Sequence, residues 1–105
     1  METRAKILTQ ARDAVLNSRA ATHGDAERNF NMIARVWSVR LGVDITAAQV
    51  ALMMIDLKTS RAWENPKHED SWVDMAGYAA CGAELSLDTT LGGVNMESEK
   101  LRYAK

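Results

Sequence analysis

Four charged residues on two neighbouring stretches of a 105-residue chain have spacings that chemistry would use. Lys58 and Arg61 are three apart, and Asp70 and Asp74 are four apart. On helices each pair shares a face, and an antiparallel hairpin would set the cations opposite the carboxylates. Two carboxylates one turn apart hold a Mg²⁺ ion through one or two oxygens while substrate phosphates complete its shell. Lys58 and Arg61 would then take phosphate oxygens, arginine with its bidentate fork. That constellation suits binding of a nucleotide or another small phosphate ligand, or its hydrolysis. The same four residues also suit plain interhelical salt bridges, with Asp70 simply favoured by the dipole of its first helical turn. Asp74, in mid-helix among Trp72, Met75 and Tyr78, is least easily explained that way and is the strongest single candidate.

Other residues are weaker candidates, each with an ordinary alternative. His68 suits a metal ligand or a base, although a histidine beside Lys67 at a helix start is more often an exposed residue. His23-Gly24-Asp25 suits a backbone phosphate nest or a simple turn and cap. Asp56, among Met54, Ile55 and Leu57, either joins a metal site or faces solvent. Trp37, Trp63, Trp72 and Tyr78 can stack a base, although aromatic residues at helical spacing usually belong to a core. Cys81 is the single cysteine, which excludes an intrachain disulfide and reads as a buried, reduced thiol. No Gly-rich phosphate loop, Ser/His/Asp order or paired CxxC occurs.

The elements that must position these residues are helices. Only Pro66 interrupts the chain, and β-branched residues never cluster in alternation, so the 3.6-residue period dominates. A first helix, about Thr3 to Ala20, carries the stripe Ile7, Ala11, Ala14, Val15 and Ser18; Thr22-His23-Gly24-Asp25 breaks it. A second, about Ala26 to Leu41, places Phe30, Ile33, Ala34, Trp37 and Leu41 on one stripe, with Met32, Val36 and Val39 beside it and Gly42 as the stop. A third opens with a Thr46/Gln49 capping box and runs to about Ala62, apolar almost all round. Trp63 to Lys67, which holds Asn65-Pro66, reads as a turn, and a fourth helix runs from about His68 to Ser86 with Trp72, Met75, Ala76, Ala79 and Ala83 on one side. Gly77 and Gly82 inside it cost about 1 kcal/mol each relative to alanine, which close approach of another helix would offset. Leu91-Gly92-Gly93-Val94 reads as a loop, and Asn95 to Lys105 as a short terminal helix or a docking arm.

The expectation is an all-α bundle of four main helices over residues 1–86, with a less regular C-terminal tail over 87–105. The third helix has more apolar surface than so small a partner set covers, so a homo-oligomer, most simply a dimer, is expected.

Composition narrows the function classes. The chain is 47% hydrophobic and 26% charged, ordinary for a single globular domain. Its net charge of −1 argues against a protein that coats nucleic acid. That sum conceals seven Arg/Lys against four Asp/Glu in residues 1–40 and six against ten in residues 41–105. Arg28, Arg35 and Arg40 on the second helix are placed to face an acidic helix of the same or a neighbouring subunit. No apolar run approaches the ~20 residues that span a membrane, and Met1 to Lys6 lacks a signal-peptide core, so a cytoplasmic location is expected.

The series His23-Gly24-Asp25, Asn29-Phe30, Ile33-Ala34, Trp37, Val50 to Met54, Leu57-Lys58, Arg61 and His68 to Tyr78 resembles a family of small phage and prophage domains of unknown function. The likeness covers about residues 3–86, and H-x-D-S-x-x-D-x-x-G-Y is its most specific part. Its order also resembles phage domains associated with nucleotide modification, which carry tyrosine where this chain has His23. More distantly it is similar to the MazG-like all-α nucleoside triphosphate pyrophosphohydrolases, whose helical acids hold Mg²⁺ and cleave between the α and β phosphates. Their E-x-x-E and E-x-x-D helices are replaced here by Asp56 alone and by Asp70 with Asp74. The resemblance implies a helical fold in the cytoplasm of a bacterial host, nucleotide binding, and Mg²⁺-dependent pyrophosphohydrolysis. Two other classes are a non-catalytic module that sequesters nucleotides against host defence, and a protein-interaction module acting through the third helix.

Overall fold

A computed structural model describes residues 2–18 and 26–87. Four α-helices are seen among them: α1 (Thr3–Asp13), α2 (Ala26–Leu41), α3 (Ala47–Glu64) and α4 (Glu69–Leu87). The fold is all-α, as the helical periodicity implies. The α3–α4 hairpin is its centre, with α1 packed against α4 and α2 against α3.

Local chemistry explains the boundaries. Gly42, at φ +69°, ends α2 in a left-handed conformation that glycine adopts without steric cost. The Ser38 hydroxyl then ties down the connection: it donates to the Ala34 carbonyl at 2.7 Å and accepts from the Ile45 amide at 2.8 Å. Thr46 starts α3 with the expected capping box. Its Oγ1 accepts from the Gln49 amide at 3.1 Å, and the Gln49 side-chain oxygen accepts from the Thr46 amide at 2.9 Å. Pro66 disfavours helical geometry at Asn65, which closes α3 in a non-helical conformation.

The core lies at the end of the hairpin away from the turn. Phe30 and Ala34 of α2 meet Ala47, Val50 and Ala51 of α3 and Leu85 of α4, flanked by Ile33, Trp37, Ile45, Met54, Tyr78 and Cys81. The glycines of α4 serve close packing, as the sequence suggests. A Cβ on Gly82 would lie 3.0 Å from the Ala51 Cβ, and one on Gly77 would lie 3.2 Å from Cγ1 of Val15.

Three expectations are corrected. The first helix is not α-helical throughout: after Asp13 it widens into a π-helical turn over Ala14–Ser18, and Val15 of that turn contacts Gly77. The packed side of α4 carries Ser71, Val73, Gly77 and Leu85, whereas Trp72, Ala79 and Ala83 are exposed. The helix is apolar on nearly every side, so its period does not select a face. Small residues that admit α3 and α1 decide it instead. Leu41, expected on the packed stripe of α2, is exposed where the helix runs past the core. The expected turn around His23 and the tail from residue 88 onward lie outside the described residues.

Candidate functional site

The turn between α3 and α4 is built by short-range hydrogen bonds. Asn65 donates its amide to the Arg61 carbonyl at 2.9 Å and accepts from the His68 amide at 3.1 Å. The Ser71 amide donates to the His68 carbonyl at 3.2 Å, and the Ser71 hydroxyl lies 3.0 Å from His68 Nδ1. Ser71 is fully buried, and His68 satisfies its hydroxyl. Trp72 reaches back under the turn and donates its indole N–H to the Pro66 carbonyl at 2.9 Å.

Antiparallel packing across this turn brings the two charged helix faces together. Lys58 Nζ lies 2.9 Å from Asp74 Oδ2, with the two side chains only 17% and 12% exposed. Beside them the Thr59 hydroxyl donates to the Ile55 carbonyl at 2.8 Å and touches Met75 Sδ. Arg61 follows Lys58 by three residues and Asp70 precedes Asp74 by four, so both lie one turn nearer the tip of the hairpin. Both are exposed, and neither forms an ion pair among the described residues. Glu69, at the start of α4, is instead paired with Lys6 of α1 at 3.0 Å.

The remaining candidates are dispersed. Asp56 is exposed on the outer side of α3. Tyr78 packs in the core, its ring 6.0 Å from that of Phe30, so it is no platform for a base. Trp37 is likewise a core residue. Trp63 and Trp72 are not: Trp63 is 85% exposed and Trp72 is half-exposed, on either side of the turn. The sequence offers both as residues that stack a base or belong to a core, and the structure places neither in the core. Helix face decides it: Ala62, Ser71 and Val73, next to these tryptophans in sequence, are buried, and Trp63 and Trp72 point the other way.

Among the described residues no three of His, Cys, Asp and Glu converge as a metal-binding group. Asp70 and Asp74 provide two carboxylates, one of them already held by an ammonium. Two carboxylates alone do not make a cage for a resident Mg²⁺ ion. No described helix is long and apolar enough to cross a membrane.

Comparison with known proteins agrees with a phage connection. The chain is 43% identical over 82 residues to the Gene 55 protein of Mycobacterium phage L5, covering 77% of this chain and 53% of that protein. It is 37% identical over 75 residues to the Gene 55 protein of Mycobacterium phage D29, covering 71% of this chain and 50% of that protein. The chain therefore spans about half the length of the curated relatives it matches. No solved structure matches it. A family model described as a domain of unknown function (DUF6378) matches residues 6–86, which takes in α1 from Lys6 onward, α2 and all but the last residue of the hairpin, and the chain belongs to that family.

Proposed function

We propose that this domain is a phage-encoded binding module that takes a nucleotide, or a comparable small phosphate ligand, at the turn end of the α3–α4 hairpin. One observation carries the reading: Lys58 and Asp74 are locked together, while Arg61 and Asp70 stand exposed and without an ion-pair partner one turn closer to the tip. The guanidinium of Arg61 is the group suited to a phosphate, in bidentate geometry. Exposed Trp63 and Trp72 offer apolar faces for a base within the same end of the hairpin. Lys58 acts mainly on Asp74, so its expected role as a direct phosphate ligand becomes secondary. A phosphate-bearing ligand in the cytoplasm of a bacterial host fits the phage relatives.

A second reading is Mg²⁺-dependent nucleotide pyrophosphohydrolysis, favoured by the spacing of Asp70 and Asp74 on α4. It requires Asp74 to exchange an ammonium for a metal ion, so binding without metal has the better support. Thermal unfolding with a panel of ribo- and deoxynucleoside triphosphates, in Mg²⁺ and in EDTA, separates the readings. Stabilisation that persists in EDTA is expected for binding, with product formation only in Mg²⁺ expected for hydrolysis. A panel with no stabilisation and no product overturns both.

A further inference from the structure

Two apolar strips point away from the core. On α2, Met32, Val36 and Val39 are exposed, Val39 by 83%. On α3, Leu52, Met53 and Leu57 are exposed as well. At the start of α3 an open notch of about 350 Å³, lined by Val43, Asp44, Ile45, Gln49, Leu52 and Met53, continues the second strip into a concave seat. Isolated exposed apolar residues are ordinary, but contiguous strips along a helix mark docking surfaces.

Each strip carries a central charge, Arg35 on α2 and Asp56 on α3, and the two are opposite. Arg35 lies three residues after Met32 and four before Val39, within the α2 strip; Arg28 and Arg40 border it. Asp56 lies four residues after Leu52 and three after Met53, within the α3 strip, and Glu64 stands near the end of the same helix. Arg28, Arg35, Arg40, Asp56 and Glu64 are all exposed and form no ion pair among the described residues. A single chain thus carries a basic apolar strip and an acidic apolar strip, each lacking the partner that the other supplies.

We infer that the occupant of these strips is a second copy of this chain, with α2 of one copy laid on α3 of the other and Arg35 opposite Asp56. Two such contacts related by a two-fold axis close a dimer and leave neither strip in water. Matched charges set the register of the apolar contact, whereas a like charge at the same place repels the second copy. This surface is separate from the hairpin tip, so the inference stands or falls independently of the ligand proposed there.

Sedimentation velocity of the full chain across a wide concentration range tests it. The unmodified chain is expected to dimerise. Arg35→Asp and Asp56→Arg are expected each to weaken dimerisation by at least about tenfold, and the double swap to restore it. Circular dichroism checks that each variant stays helical, and Leu52→Glu provides a second disruption that does not depend on the charge pair. A monomer at every concentration overturns the inference. So does a dimer untouched by the single swaps and by Leu52→Glu, or a double swap that fails to recover.

Discussion

The Lys58 ammonium and the Asp74 carboxylate meet at 2.9 Å between α3 and α4, sixteen residues apart in sequence and largely withdrawn from water. Each helix has an outer side where these charges would be solvated, yet both project into the hairpin. The pair therefore ties the two helices together toward the turn end of the hairpin, where Ala62, Ser71 and Val73 are also buried.

Removing one member of this pair leaves the other charged and poorly hydrated. Asp74→Asn and Lys58→Met are each expected to cost about 2–4 kcal/mol, somewhat below the figure for a fully buried pair. In a domain of this size that lowers Tm by roughly 10–20 °C. Combining Lys58→Met with Asp74→Leu should recover most of the loss, because the two apolar side chains then pack without a stranded charge. Thermal unfolding of the three variants checks this, and single variants as stable as the unmodified protein would contradict it.

Gly82→Ala runs against helix propensity. Alanine inside a helix ordinarily gains about 1 kcal/mol over glycine. Here its Cβ would sit 3.0 Å from the Ala51 Cβ, in a tightly packed crossing that cannot yield by rotating a side chain. Urea unfolding is expected to show a net loss of stability for Gly82→Ala. For Gly77→Ala the loss should be smaller, since the neighbour at 3.2 Å is the tip of the Val15 side chain.

Thr46→Ala removes the Oγ1 acceptor of the Gln49 amide. The expected cost is about 1 kcal/mol in urea unfolding, the usual value for an N-cap serine or threonine. Gln49→Ala should cost less, because the Thr46 side chain still satisfies the N3 amide.

At the hairpin tip, Arg61→Ala should leave Tm without ligand almost unchanged, since the side chain is exposed and unpaired among the described residues. It should nevertheless reduce stabilisation by nucleoside triphosphates. Trp72→Phe removes the donor to the Pro66 carbonyl while keeping an aromatic ring. A Tm loss of a few degrees, with ligand stabilisation retained, is the expected pattern.

Much of this architecture is legible in the sequence where local chemistry decides it. Thr46 and Gln49, Gly42, and Asn65-Pro66 mark helix ends by side-chain hydrogen bonding, positive φ and the steric demand of proline; the first two fall where they are read, and α3 runs two residues past Ala62 to Glu64, up to the proline turn. The α2 stripe of Phe30, Ala34 and Trp37 is also legible, although Met32, Val36 and Val39 form a second apolar strip on the same helix. The face of α4 is not legible, because Trp72, Ala76, Ala79 and Ala83 make as good a stripe as Ser71, Gly77 and Leu85. Only the presence of α1 and α3 selects between them. The same limit applies to the charges. Spacing puts Lys58 with Arg61 and Asp70 with Asp74, but the sequence does not say that Lys58 and Asp74 pair while Arg61 and Asp70 stay in water. That division depends on the rotation of two packed helices.

The central claim is that the hairpin tip binds a small phosphate ligand through Arg61 without needing metal. Isothermal titration of the full chain with each of the four deoxynucleoside triphosphates in EDTA tests it most directly, run beside Arg61→Ala. Saturable binding of at least one nucleotide by the unmodified protein, weakened by about tenfold or more in the variant, is the predicted result. No binding of any of them, or equal affinity in Arg61→Ala, would contradict the account.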